Sequence, residues 1–173
     1  MKKFCTILFT CLIMTSISFA QSKKETKAAE SAKKYQEMLK LIESKDYEFE
    51  ADWANPQSGR NINLTTNPNF FRIIKDSANI FLPYFGRSFS GGASMTGEGG
   101  IVFNGIMEGY EMSVNEKKQK IMVQFRGKTK TETYTFNLTI FGGGNTMINV
   151  NSNYRSVIKY DGRTQKPKPK TKE

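Results

Sequence analysis

An all-β domain, either a small antiparallel barrel or a strongly bent sandwich, preceded by one amphipathic helix, is the fold that this sequence predicts. Three observations carry it. From Asp46 onward apolar residues recur at every second position, the period of strands with one dry and one wet face. The breaks between these runs are short and rich in Gly, Asn and Ser, with no helical pattern among them, which argues consecutive hairpins. Before Asp46 the apolar spacing is instead three and four, the period of a helix.

The helix is predicted from about Lys23 to Ser44. Ser22-Lys23-Lys24-Glu25 fits a capping box, and Ala28, Ala32, Tyr35, Leu39 and Ile42 form one face, with Met38 and Leu41 beside it. Docking on the domain suits this face better than a coiled coil, because the repeat is short and its seam contains alanines. The strand pattern then runs through Tyr47, Phe49, Ala51 and Trp53, and through Ile62 and Leu64. It continues through Ile101 and Phe103, through Tyr110, Met112 and Val114, and through Ile121, Val123 and Phe125. The clearest run is Tyr134, Phe136, Leu138 and Ile140; Ile148 and Val150 lead into Ser156, Ile158 and Tyr160. A meander of about eight to ten strands must close or fold over to manage its edges.

The first twenty residues read as a secretory signal: Lys2 and Lys3, the apolar stretch Phe4 to Phe19, then Ser18-Phe19-Ala20 before Gln21. A membrane anchor is the weaker alternative, because the apolar run falls short of the roughly 20 residues needed to span and contains Thr and Ser. Cys11 sits inside the run rather than after it, which argues against lipidation. The resulting division is 1–20 signal, 21–45 helix, 46–162 β domain and 163–173 a disordered basic tail, Pro-interrupted at Gln165-Lys166-Pro167-Lys168-Pro169-Lys170. Export places the mature chain in the periplasm or outside the cell, with no membrane-spanning segment of its own.

Charge and composition remove several functions. The formal net charge is +10, yet residues 46–162 contribute only +1; the excess sits on the two extensions, so no nucleic-acid footprint is expected. Both cysteines, Cys5 and Cys11, lie in the signal, and histidine is absent. Histidine-based nucleophilic triads and metal sites built on His or Cys are thereby excluded from the mature chain, and no cofactor is expected.

The remaining motifs are weighed by their chemistry. Glu48, Glu50 and Asp52 share one strand face, but alternate side chains stand ~6–7 Å apart, wide for one Ca²⁺, and a solvated face is expected. Gly91 to Gly100 is glycine-rich but lacks the Gly-Lys-Ser/Thr ending of a phosphate loop; it reads as a loop between strands. Glu98, Glu108 and Glu111 are the candidates for paired-carboxylate hydrolysis, with no diagnostic spacing. No catalytic motif emerges, and the chain is expected not to be an enzyme.

The most unusual stretch is Phe81-Leu82-Pro83-Tyr84-Phe85-Gly86-Arg87-Ser88-Phe89. It reads either as a bent edge strand, with Pro83 ending ladder donation, or as a site where Tyr84, Phe85 and Arg87, with Arg155, meet an anionic or planar ligand. In a regular strand Tyr84 faces away from Phe85 and Arg87. A structural clasp by Arg87 is favoured, with Trp53 as a stacking partner for Arg87 or Arg155.

Leu82-Pro83-Tyr84-Phe85-Gly86-Arg87 resembles the hallmark of the domain-of-unknown-function 4251 family, found in secreted proteins of Bacteroidota-type Gram-negative bacteria. Pro56, Ser58-Gly59-Arg60, Asn63-Leu64-Thr65, Asp76-Ser77, Asn153-Tyr154-Arg155 and Tyr160-Asp161-Gly162 extend the resemblance over most of the mature chain. It implies an exported barrel of lipocalin-like topology and no known activity. It also implies that Asp76-Ser77-Ala78 is an O-glycosylation site, with Ser77 modified. Two functions follow: a non-catalytic cell-envelope module that is structural or contacts an envelope protein, or a barrel carrying a small, mostly apolar ligand. A carrier needs an interior cavity, whereas thirteen phenylalanines favour a filled core.

Overall fold

The computed structural model describes residues 25–89 and 100–168. The proposed signal and the glycine-rich loop through Gly99, with Glu98, lie outside them. Helix α1 spans residues 25–43. Ten strands follow: β1 (Asp46–Pro56), β2 (Ile62–Asn63), β3 (Phe70–Ile74), β4 (Ser77–Pro83), β5 (Gly100–Ile106), β6 (Glu108–Asn115), β7 (Lys120–Lys128), β8 (Thr133–Phe141), β9 (Asn145–Ser152) and β10 (Ile158–Gln165). A 3-10 turn, Glu116–Lys118, joins β6 to β7.

Nine of the strands curl into a nearly closed antiparallel barrel in the order β5-β4-β3-β1-β10-β9-β8-β7-β6, with β2 beside β1. Pairing follows chain order along the sheet, stepping over β2 between β1 and β3, until the first long strand meets the last: Phe49 lies opposite Thr164 and Ala54 opposite Tyr160. The first and last strands therefore tie the sheet together at its middle. The seam falls instead at mid-chain, between β5 and β6, which only Met107 separates. There the Phe103 ring of β5 lies against Gly127 of β7, where an added Cβ would come within 2.9 Å of it. A glycine is what lets the seam close on a ring.

Inside, the rings of Phe125 and Phe136 stack with centroids 5.0 Å apart, and Phe71 meets Phe136 edge-on at 5.7 Å. Phe103, Tyr110 and Phe49 extend the cluster. Such pairs add ~0.5–1.5 kcal/mol each beyond their buried area. At one end α1 docks through its second half. Tyr35 and Ile42 are buried and Met38, Leu39 and Leu41 partly so, whereas Ala28 and Ala32 of the expected face remain exposed. Ser31 Oγ donates to Gln119 Oε1 at 2.6 Å, fixing the helix to the β6–β7 turn.

Four expectations need correction. The alternation in β1 breaks at a bulge between Ala51 and Trp53, so Ala54 turns inward and Trp53 outward, 43% exposed. Phe70–Ile74 and Ser77–Pro83 form a hairpin that the period-two reading missed; its turn is Lys75-Asp76, with Lys75 at φ 54°. Pro83 ends β4, which lies between β3 and β5 and is not an edge strand. The β domain also runs past residue 162: Arg163, Thr164 and Gln165 belong to β10, and Lys168 Nζ pairs with Glu50 Oε2 at 2.6 Å. The carboxylate face explains this last point, since Gln165 Nε2 also donates to Glu48 Oε1.

Candidate functional site

At the end of the barrel opposite α1, polar side chains that are far apart in sequence converge. Arg155 and Glu132 are 7% and 4% exposed. Arg155 Nε donates to both carboxylate oxygens of Glu132, at 3.0 and 3.1 Å, and Nη1 donates to the carbonyl of Gly100 at 2.9 Å. Tyr134 Oη donates to Glu132 Oε2 at 2.6 Å, and Ser152 Oγ donates to Oε1. The guanidinium lies 5.0 Å from the centre of the Tyr84 ring. Two carboxylate oxygens thus receive charge-assisted or hydroxyl bonds from three side chains, which offsets the cost of burying the charge.

Tyr84 links this pair to the segment that follows β4. Its hydroxyl lies 2.9 Å from the carbonyl of Arg87, 3.0 Å from that of Ser156 and 2.9 Å from Ser156 Oγ. Arg87 N in turn donates to Ser156 Oγ, and Ser156 N donates to the Arg87 carbonyl. One step further, Phe89 N donates to the Tyr154 carbonyl, and Ser88 bridges to Arg155. Gly86 makes the fold-back possible. A Cβ there would stand 2.2 Å from Tyr84 Oη and 2.6 Å from Ser156 Oγ. Tyr160 Oη completes the closure by donating to the Pro83 carbonyl at 2.8 Å.

Burial raises the Tyr160 hydroxyl well above its ordinary range. It raises Tyr134 likewise, helped by the hydrogen bond to Glu132. Both are therefore fixed as proton donors at neutral pH.

Of the sequence-predicted site residues, the structure brings Tyr84 and Arg155 together and leaves Phe85 and Arg87 exposed. Tyr84, Phe85 and Arg87 lie past the end of β4 at Pro83, so their placement comes from the fold-back at Gly86 and not from strand alternation. The clasp assigned to Arg87 belongs to Arg155, because Arg87 contributes its backbone and not its guanidinium. Among the described residues no ion pair involves Arg87. Trp53 stacks on neither arginine; the ring under Arg155 is that of Tyr84. Sequence reasoning missed Glu132, Ser152 and Ser156. For Glu132 a signal existed: carrying the inward phase of Tyr134 and Phe136 two residues back places it on the dry face.

The other candidates lie apart from this cluster. Glu108 and Glu111 are exposed on β6. Ser77 is exposed at the start of β4, and Asp76 before it pairs with Lys45 Nζ at 2.9 Å. Among the described residues no group of three or more His, Cys, Asp or Glu is placed to hold a metal, and no helix is long and apolar enough to cross a membrane.

A family model described as "Domain of unknown function (DUF4251)" matches residues 29–164. The fold is also that of the crystal structure of a DUF4251 family protein from Bacteroides eggerthii DSM 20697. The two are 19% identical, with a TM-score of 0.61 over 80% of this chain and 91% of that one. Among curated proteins nothing matches the chain.

Proposed function

The chain belongs to the DUF4251 family, and from that premise we propose that it is a non-catalytic module of the cell envelope, exported to the periplasm or beyond and working through contacts with a partner. The observation that carries this reading is the saturation of the buried Arg155–Glu132 cluster. Both oxygens of Glu132 are taken by Arg155, Tyr134 and Ser152, so this cluster holds no free acid or base for a substrate. Export is supported by the basic, apolar and small-residue order of residues 1–20. The carrier alternative requires an interior cavity, and the rings of Phe71, Phe125 and Phe136 meet where that cavity would be.

Native mass spectrometry of the protein purified from its own envelope tests the proposal. A stoichiometric macromolecular partner supports it. A co-purifying small apolar compound would replace it with the carrier reading, and recovery from the cytoplasm alone would remove the envelope.

A further inference from the structure

The bulge in β1 does more than correct a register. Between the pairs Ala51–Gly162 and Trp53–Asp161 one extra residue, Asp52, is inserted on β1 alone. The bulged backbone presses on β10 so closely that a Cβ at Gly162 would stand 2.1 Å from the Glu50 carbonyl. Bulge and glycine are thus two halves of one device, and its result is to aim the Trp53 indole away from the core. An indole in water forgoes burial that the alternation of β1 would have given it.

Beside Trp53 the outer face of the sheet carries a groove of about 310 Å³, lined by Asp52, Trp53, Phe141, Asn145, Met147 and Asp161 among others. From β1 to β8 it crosses three strand spacings, ~14 Å at ~4.8 Å each, so Trp53 and Phe141 stand toward its two ends. Asp161 Oδ2 is oriented by Asn55 Nδ2 at 2.6 Å, and its other oxygen has no protein partner among the described residues. No lysine or arginine lines the groove.

We propose that this groove binds a neutral oligosaccharide, with one sugar ring stacked on Trp53 and hydroxyls donating to Asp161 and Asp52. The two carboxylates are the charged groups of the lining itself, with Lys120 on the Phe141 ring at 4.9 Å and Lys159 and Arg163 flanking Asp161 on β10, so the lining disfavours phosphate and acidic ligands at Trp53. A half-exposed indole offers a flat apolar face of the kind presented by the C–H side of a pyranose. Carboxylate and amide groups beside it match a polyol's donors and acceptors. One open-sided ring suits stacking better than the enclosure a quaternary ammonium requires. The inference rests on the non-catalytic reading for its claim that the sugar is held and not cleaved.

Trp53 is the only tryptophan in the chain, so emission excited at the red edge, where tyrosine does not absorb, reports on this groove. The full mature chain is titrated with chitotetraose, maltoheptaose, xylotetraose and mannotetraose, with choline and inorganic phosphate as ionic probes. A saturable emission shift with at least one oligosaccharide is expected. By calorimetry, Trp53→Ala and the near-isosteric Asp161→Asn should each weaken that binding about ten-fold or more, ~1.4 kcal/mol, with thermal midpoints close to the parent's. Response to none of the four sugars, response to an ionic probe alone, or undiminished binding by both folded variants overturns the proposal. Mass analysis of the sugar after incubation separates the two readings: shortened chains would end the non-catalytic reading and leave the groove standing.

Discussion

The two ends of the barrel are closed by opposite means. The Arg155 end is held by polar groups whose partners are supplied by the protein: carboxylate, guanidinium and hydroxyls drawn from the segment after β4, the β7–β8 loop, β8, β9 and the β9–β10 loop. The α1 end is held by apolar contact, with Tyr35 and Ile42 buried beneath the helix. Its hydroxyls fare worse. Tyr35 Oη, Tyr47 Oη and Tyr110 Oη are buried without a hydrogen-bond partner; the last two face each other, but the geometry falls short of a bond. Directional closure demands satisfied partners, whereas apolar closure tolerates a few orphaned atoms because area carries its energy.

Alkaline pH attacks both ends and has the largest expected effect. Burial raises Tyr47 and Tyr110 at the helix end, and Tyr134 and Tyr160 at the clasp end, above the ordinary value of about 10. The folded state therefore keeps these protons longer than the unfolded chain does. The stability they contribute is intact below about pH 10 and is lost as pH rises through the folded-state values. Tyrosinate absorbance should emerge in an early class and a late class, the late one coinciding with loss of far-ultraviolet strand signal. Smooth titration of all seven tyrosines near pH 10 without unfolding would contradict the burial on which the comparison rests.

Next in size is removal of one half of the polar closure. Arg155→Ala leaves the Glu132 carboxylate buried and uncompensated, at a cost of ~3–5 kcal/mol. The paired change Arg155→Met with Glu132→Gln, which removes both charges, should recover part of this in urea unfolding. Parent-like stability of Arg155→Ala would mean that the ion pair is incidental to closure.

One chemical change should have opposite signs at the two ends. Tyr84→Phe removes the hydroxyl that reaches the Ser156 carbonyl and Oγ, while the Arg87 carbonyl keeps its bond from Ser156 N, and is expected to cost ~1–3 kcal/mol. Tyr47→Phe deletes a buried hydroxyl that has no partner, and is expected to be neutral or stabilising by up to ~1 kcal/mol. Equal losses at both positions, in matched denaturation curves, would erase the distinction between the ends.

How much of this was legible in the sequence differs by element. The helix and the strands with strict alternation, Tyr134 to Ile140 above all, follow from local period alone. The β3–β4 hairpin does not, because Phe70-Phe71 and Ile73-Ile74 place apolar residues on both faces and Lys75-Asp76 is not a typical hairpin turn. Trp53 was misplaced because a bulge inserts one residue without leaving a local mark. Its only trace is Gly162, more than a hundred residues away. The hexapeptide was visible as unusual, yet its chemistry depends on Ser156, Arg155 and Glu132, which only the closed barrel brings near. Spatial pairing of this kind has no spacing rule to read.

The smallest effect is predicted at the residue the sequence made most conspicuous. Arg87 follows Gly86 in an aromatic segment, which suggests a buried guanidinium. The structure puts its backbone at the centre of the clasp: its carbonyl accepts from Ser156 N and lies 2.9 Å from Tyr84 Oη, and its amide donates to Ser156 Oγ. All of these bonds survive truncation of the side chain, which is exposed. Arg87→Ala should therefore shift stability by no more than about 0.5 kcal/mol, the range of an ordinary surface change. Gly86→Ala, one residue away, drives a Cβ into Tyr84 and Ser156 and should cost ~1–3 kcal/mol. Measured side by side in urea, the two variants separate backbone placement from side-chain chemistry. A large loss for Arg87→Ala would return the clasp to its guanidinium.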